Sequence, residues 1–284
     1  MNKLKNALPA MIQGLKNAYF PEPLVLGNGK TVQPKRSVMV YILPILTIAV
    51  IYSANIIGFD IGVLIRRGAQ FFVIVGRMIP PDWNYIPDVI GPLLETIMMS
   101  ILGTMIGAFL SLPLAFLSSD NIIKNKAFLW TLRMIVSLFR TLPILIFAFI
   151  LKYIFGIGTF AGTLAIALFT WLIMTKMLYE IIETVDMGPF EAIESSGASR
   201  VRAFTVSIIP QIIGQYISIA LYNFEMNIRS AAILGYVGAG GIGLLLNEKL
   251  GWRQYDRVGL ILFALLVTVY VIETISRYIR KRLS

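Results

Sequence analysis

Long apolar runs free of charge leave this chain few ways to fold. From Val38 to Phe59, and again from Thr96 to Ser119, there is no Asp, Glu, Lys or Arg. A helix of about 20 mostly apolar residues crosses the hydrocarbon core of a bilayer. In lipid every backbone polar group must be satisfied internally, so such runs are expected as helices. Over the 284 residues, 57% are hydrophobic and only 14% charged, against about 25% charged in soluble domains. The expectation is an all-α polytopic membrane protein.

About six spans are expected: Val38–Phe59, Thr96–Ser119, Ala127–Phe155, Thr159–Ile182, Thr205–Ala232 and Val258–Ser276. Pro44 lies inside the first, which a membrane helix tolerates. The third carries Arg133, Arg140 and Lys152, with Pro143 close behind Arg140. Between the first two, Ile61–Val75 is expected as an interfacial helix and Pro80-Pro81 as a break. Gly103 and Gly107 form a GxxxG pair, read as a close helix contact rather than chance. Residues 1–37 carry Lys3, Lys5, Lys16 and Pro9 without the apolar core of a signal peptide. They are expected to lie at the inner membrane surface, with 38–284 as the transmembrane domain.

The net charge of +10 sits at the ends of the apolar runs, which suits anionic lipid headgroups and not nucleic acid. Lys30, Lys35, Arg36, Lys124, Lys126, Arg200, Arg202, Arg277, Arg280, Lys281 and Arg282 fall on one side of a six-span topology. On the other, Arg66, Arg67, Arg77, Lys249, Arg253 and Arg257 are largely balanced by acids. The positive-inside rule then puts both termini, and the connection after the fourth span, in the cytoplasm.

The chain has no cysteine and no histidine. That removes thiolate metal sites, HExxH zinc sites, His-based proton relays and Ser-His-Asp triads. Two apparent nucleotide motifs also fail. Gly238-Ala239-Gly240-Gly241-Ile242-Gly243 fits GxGxxG, but a membrane helix precedes it and Phe263 stands where an acid is needed. Gly29-Lys30-Thr31 ends like a P-loop, but Leu24 replaces the first glycine. No cofactor is expected in this chain; any ATP and Mg must belong to another subunit.

The connection after the fourth span reads Pro189-Phe190-Glu191-Ala192-Ile193-Glu194-Ser195-Ser196-Gly197. Pro189 suits the first turn of a helix, Glu191 and Glu194 favour its N-terminal end, and Gly197 suits its stop. The segment resembles the cytoplasmic EAA loop of ABC importer permeases: Glu-Ala-Ala, three residues, Gly, nine residues, then Ile-x-Leu-Pro. Here Glu191, Ala192, Gly197 and Pro210 keep the spacing, while Ile193, Ser207 and Ile209 depart from it. The runs Tyr222–Arg229, Ile233–Gly243, Arg140–Pro143 and Lys176–Glu180 resemble the phosphonate-transporter permease subgroup. Members of that subgroup often carry a histidine near Phe169-Thr170; this chain has none, so that residue is not required here.

The resemblance implies a binding-protein-dependent (type I) ABC importer permease fold in the bacterial inner membrane. It implies ATPase coupling through Glu191, Ala192 and Gly197. It also implies three kinds of partner: a second permease copy, two ATP-binding subunits and an extracytoplasmic phosphonate-binding protein. Phosphonate, phosphite and phosphate all remain as cargo. An ion-coupled organic-anion transporter is the rival class, but no internal repeat supports it. For the translocation path the candidates are Arg140, Asn223, Glu225, Asn227, Arg229 and Ser230. Ionisable groups within spans usually face the bundle interior, and a guanidinium fork suits an oxyanion. Glu225 and Arg229 stand four apart in the order that favours an ion pair, so a purely structural role has equal weight. Lys176 is read as snorkelling.

Overall fold

The computed structural model describes residues 24–25, 27, 29–32 and 38–283. The expected surface segment at the N-terminus lies mostly outside these. Within it, Leu24–Val25 pairs antiparallel with Thr31–Val32. By contacts the chain divides into residues 1–71 and 72–284.

In the first unit, α1 (Met39–Ile57) takes Pro44 into its interior and ends on Gly58 at φ 70°, whose N–H caps the last turn. The first expected span is therefore present as a helix. It is followed by α2 (Ile61–Arg77), which runs two residues past the expected interfacial segment and into the second unit.

In the second unit, the Asp82 carboxylate accepts from Asn84 N–H at 3.2 Å and caps a short turn, Trp83–Tyr85. From there α3 (Ile86–Leu117) starts ten residues before the expected span, with Pro in its first turn, where a missing N–H costs nothing. Next come α4 (Lys126–Arg140), capped by Asn125, and α5 (Ile144–Phe155). These two were expected as one span, but they meet at a bend of 86°. The cause is local: Pro143 sits extended at φ −60°, ψ 145°, and a proline disfavours helix in the residue before it.

Helix α6 (Thr159–Ile182) matches the expected fourth span residue for residue. It packs along α3, and the GxxxG pair is the reason they come so close. A Cβ at Gly103 would fall 2.6 Å from Ile166 Cγ2, and one at Gly107 2.6 Å from the Ala167 carbonyl.

The short helix α7 (Gly188–Ser195) follows. A helical run then extends from Arg200 to Val237, with α8 (Ile209–Leu234) as its main part. Within it Phe204–Ile208 form a π-turn. Pro210 has no N–H and its ring crowds the carbonyl four residues back, so the regular ladder cannot pass through this point. Beyond α8 the chain turns through Gly238, Gly240 and Gly241 at φ 81°, 81° and 67° into α9 (Gly241–Gly251). Only glycine adopts such angles at no steric cost. Gly235 and Gly243 also touch backbone to backbone, leaving no room for a Cβ at either. The last helix is α10 (Tyr255–Leu283).

Among the described residues, four helical runs are long and apolar enough to cross a membrane, or six if each bent pair counts as one span. Three apolar clusters hold the second unit together. One joins α3, α5 and α6 to the glycine-rich turn, around Met99, Ala148, Ala165 and Ala239. One sits where α3, α6, α7 and α8 converge, around Ala115, Ile182, Phe190 and Ile208. The third packs Tyr85 and Val89 against Ile242 and Ile261.

Candidate functional site

Helix α7 is seated at the end of α3 and α6 by its apolar side. Phe190 is buried and Ile193 packs beside it, against Ile122, Leu178, Ile182 and Phe204. The opposite face, with Glu191, Ala192 and Ser195, is exposed. A helix this short is marginal alone, and its ends are fixed by polar contacts. Asp186 accepts from Gly188 N–H at 2.9 Å. Gly197 stands at φ 90° with open space where a Cβ would be. Ser199 begins the next turn by accepting from Arg202 N–H. Arg200 donates to Glu194 at 2.8 Å and to the Ile122 carbonyl at 3.0 Å. Of the three residues expected to couple to an ATPase, Glu191 and Ala192 are exposed on α7, which is held from behind, and Gly197 is exposed just past its end.

The polar residues of α8 separate into two groups. Glu225 is only 5% exposed. It takes Arg229, one turn on, at 2.6 Å and Arg280 of α10 at 3.1 Å. Arg280 was not among the expected site residues. It sits in the basic run at the end of α10, and nothing in the sequence ties it to Glu225. Asn227, 2% exposed, donates both amide hydrogens across helices, to Thr104 on α3 and Thr170 on α6, each at 2.8 Å. Thr170 lies in the stretch around which a histidine of the resembled subgroup was expected. Sequence reasoning missed both threonines, since a buried Ser or Thr commonly bonds its own helix and looks neutral in sequence.

The remaining candidates are dispersed. Asn223 is buried and turns back to the Ile219 carbonyl at 2.9 Å. Ser230 bonds the Met226 carbonyl at 3.0 Å. Arg140, half-buried at the end of α4, keeps a buried Nε–H without an acceptor. Of the two candidate arginines, Arg229 has its charge met by Glu225, whereas Arg140 is left with unused donor capacity. Lys176 pairs with Glu180 at 3.3 Å at the α7 end of α6.

At the far end of α3 a second charged group gathers. Arg257 meets Asp82 at 3.4 Å and lies 4.7 Å from the Tyr85 ring centre. Lys249 lies 5.5 Å from the same ring and 2.7 Å from Glu248. The hydrogen bond with Glu248 is the main reason its ammonium titrates above the usual lysine range; partial burial opposes this. Among the described residues no group of His, Cys, Asp and Glu is arranged to hold a metal ion.

Comparison with known proteins places the chain in context. Residues 111–284 match the family described as binding-protein-dependent transport system inner membrane component. The phosphate-import permease protein PhnE of Mycolicibacterium smegmatis is 34% identical over 73% of this chain; the chain spans only 39% of that protein's length. The phosphite transport system permease protein PtxC of Stutzerimonas stutzeri is 34% identical over 78% of this chain and 81% of its own. A putative cryptic phosphonate transport system permease protein, PhnE2 of Escherichia coli, is 36% identical over 42% of this chain and 97% of its own. Among solved structures, the MetNI methionine ABC transporter in an inward-facing form aligns with a TM-score of 0.63. The match covers 72% of this chain and 99% of that one, and at 21% identity it speaks for the fold alone.

Proposed function

This chain belongs to the family of binding-protein-dependent transport system inner membrane components, and on that premise we propose that it is the membrane-spanning permease subunit of an ATP-driven importer of phosphonates. The observation that carries the reading is α7: an exposed Glu191-Ala192 face, backed by Phe190 and Ile193, on a short helix between α6 and α8. Relatives named for phosphate, phosphite and phosphonate point to a shared small phosphorus oxyanion. Phosphite and phosphate are accordingly the competing cargoes.

The working unit in this reading is two permease copies, two ATP-binding subunits that hold ATP and Mg, and an extracytoplasmic phosphonate-binding protein. Both termini and α7 face the cytoplasm. Closure of the ATP-binding subunits draws the two α7 helices together and tilts the spans behind them, so the cavity opens outward to accept the anion. Hydrolysis returns it inward. Arg140, Arg229 and Ser230 line the path, while Asn223, Glu225 and Asn227, buried against neighbouring residues, hold the helices around it. Arg140 keeps an unpaired, buried Nε–H that becomes available to the oxyanion as the spans tilt, while Glu225 tempers Arg229. A tempered charge suits a carrier, which must release what it binds.

The test is uptake of labelled aminoethylphosphonate into proteoliposomes containing this chain, its ATPase and its binding protein. Uptake that needs ATP on the ATPase side, competed by other phosphonates and weakly by phosphate, is the expected result. ATP-driven uptake of phosphite or phosphate instead overturns the cargo and keeps the class. Uptake driven by an ion gradient without ATP overturns both.

A further inference from the structure

Arg133 is a charge inside an apolar run that the transport reading leaves without a task. It lies in the middle of α4, about 30% exposed, and its guanidinium is committed on three sides. Its Nε–H donates to the Ser118 carbonyl at the end of α3 at 2.8 Å. A terminal nitrogen makes a close ion pair with Glu183, the residue that ends α6. Its Cζ lies over the Tyr179 ring, 4.5 Å from the ring centre. Glu183 in turn accepts from Asp120 N–H at 2.9 Å. A planar fork with fixed donor directions holds such an arrangement, and a point charge does not.

The residues that Arg133 grips belong to the frame that carries α7. The connection after α3 is bonded on both sides of that helix. Asn121 donates to the Ile182 carbonyl at 2.8 Å, just before it. Arg200, just after it, donates to the Ile122 carbonyl at 3.0 Å. Residues 118–122, the end of α6 and α7 are thus cross-linked into one body, and Arg133 brings α4 into it.

We propose that Arg133 is a positioning residue that clamps α4 to the α7 frame, so that displacement of α7 reaches α4 instead of being absorbed in the residues between Glu183 and Gly188. The proposal rests on the transport reading for its consequence, but the clamp itself is a mechanical property of this chain. Without it α7 still docks a partner, and its movement is lost as local slack.

Two measurements test this. The chain has no native cysteine, so Trp130→Cys on α4 and Ser195→Cys on α7, both at exposed positions, take spin labels selectively. In the parent the distance distribution between them is expected to be narrow. In Arg133→Met, which keeps the apolar stem and loses the fork, it is expected to widen at least twofold; an unchanged width overturns the clamp. This readout does not depend on what is transported. In the reconstituted transporter, Arg133→Met and Glu183→Gln are expected to keep bound ATPase while substrate carried per ATP falls about tenfold, with Arg133→Lys in between. Equal transport per ATP in both variants overturns the proposal. So does a parallel fall of hydrolysis and uptake, which is what a merely structural role gives. A parent that shows no ATP-driven uptake fails the transport reading alone, and the distance measurement still decides the clamp.

Discussion

Glu225 and Arg280 meet at 3.1 Å across 55 residues of sequence, tying α8 to α10 through a carboxylate that also holds Arg229. One buried anion between two guanidinium groups is an asymmetric arrangement. Loss of either arginine leaves Glu225 a partner, whereas loss of Glu225 leaves two cations facing each other. Glu225→Ala is therefore expected to cost roughly 2 kcal/mol, below the 3–5 kcal/mol typical of a broken buried pair because both arginines are partly solvated. Arg229→Ala should cost less. Thermal unfolding in detergent measures this, and equal melting temperatures for the two variants would refute it.

The three-helix contact around Asn227 gives a second prediction. Its amide donates to Thr104 and Thr170, and such bonds inside membrane proteins are each worth about 0.5–1.5 kcal/mol. A double-mutant cycle of Asn227→Ala and Thr170→Val should give a coupling energy in that range. Strict additivity would mean the bond does not hold α6 to α8.

A third concerns glycines on a single helix. A Cβ at Gly107 meets the Ala167 carbonyl at 2.6 Å, while one at Gly91, also on α3, meets nothing within 4 Å. Gly107→Ala should destabilise by about 1–3 kcal/mol through overpacking against backbone. Gly91→Ala should be close to neutral, within about 0.5 kcal/mol, because the gain in helix propensity is offset by crowding against Pro92. Equal falls in melting temperature for the two variants would contradict the assigned packing.

The fourth concerns the exposed face of α7. Because Glu191 contributes nothing to the cluster beneath it, Glu191→Arg is expected to insert and melt like the parent. It should also lose at least tenfold of its ATP-driven uptake and fail to co-purify with the ATPase. Phe190→Ala should do the reverse first, lowering stability by about 3 kcal/mol or more through the cavity it leaves. Normal uptake by Glu191→Arg would end the assignment of this face to coupling.

Much of the frame was legible in the residues. α6 falls on its expected boundaries because nothing within Thr159–Ile182 breaks a helix. α7 begins beside Pro189 and stops near Gly197, as first-turn proline and a left-handed glycine require. The contact at Gly103 and Gly107 was readable because small residues four apart have few other uses on a membrane helix. What misled was continuity of hydrophobicity. Ala127–Phe155 looks like one span, yet Pro143 divides it at 86°. Hydropathy responds to composition and is blind to direction, so an apolar run reads the same whether straight or folded.

The site divides along the same line. Sequence by itself determined the solvent, the helical class, the place of α7, and the exclusion of catalytic chemistry that needs histidine or cysteine. These follow from composition and from spacing along one helix, where i and i+4 must be neighbours, as Glu225 and Arg229 are. The tertiary structure alone decided that Arg280 shares Glu225, that Asn227 joins Thr104 to Thr170, and that Arg133 grips Glu183. Those partners lie 50 to 123 residues apart, and whether two polar groups so far apart meet is fixed by how whole helices pack. A local pattern carries no record of that packing.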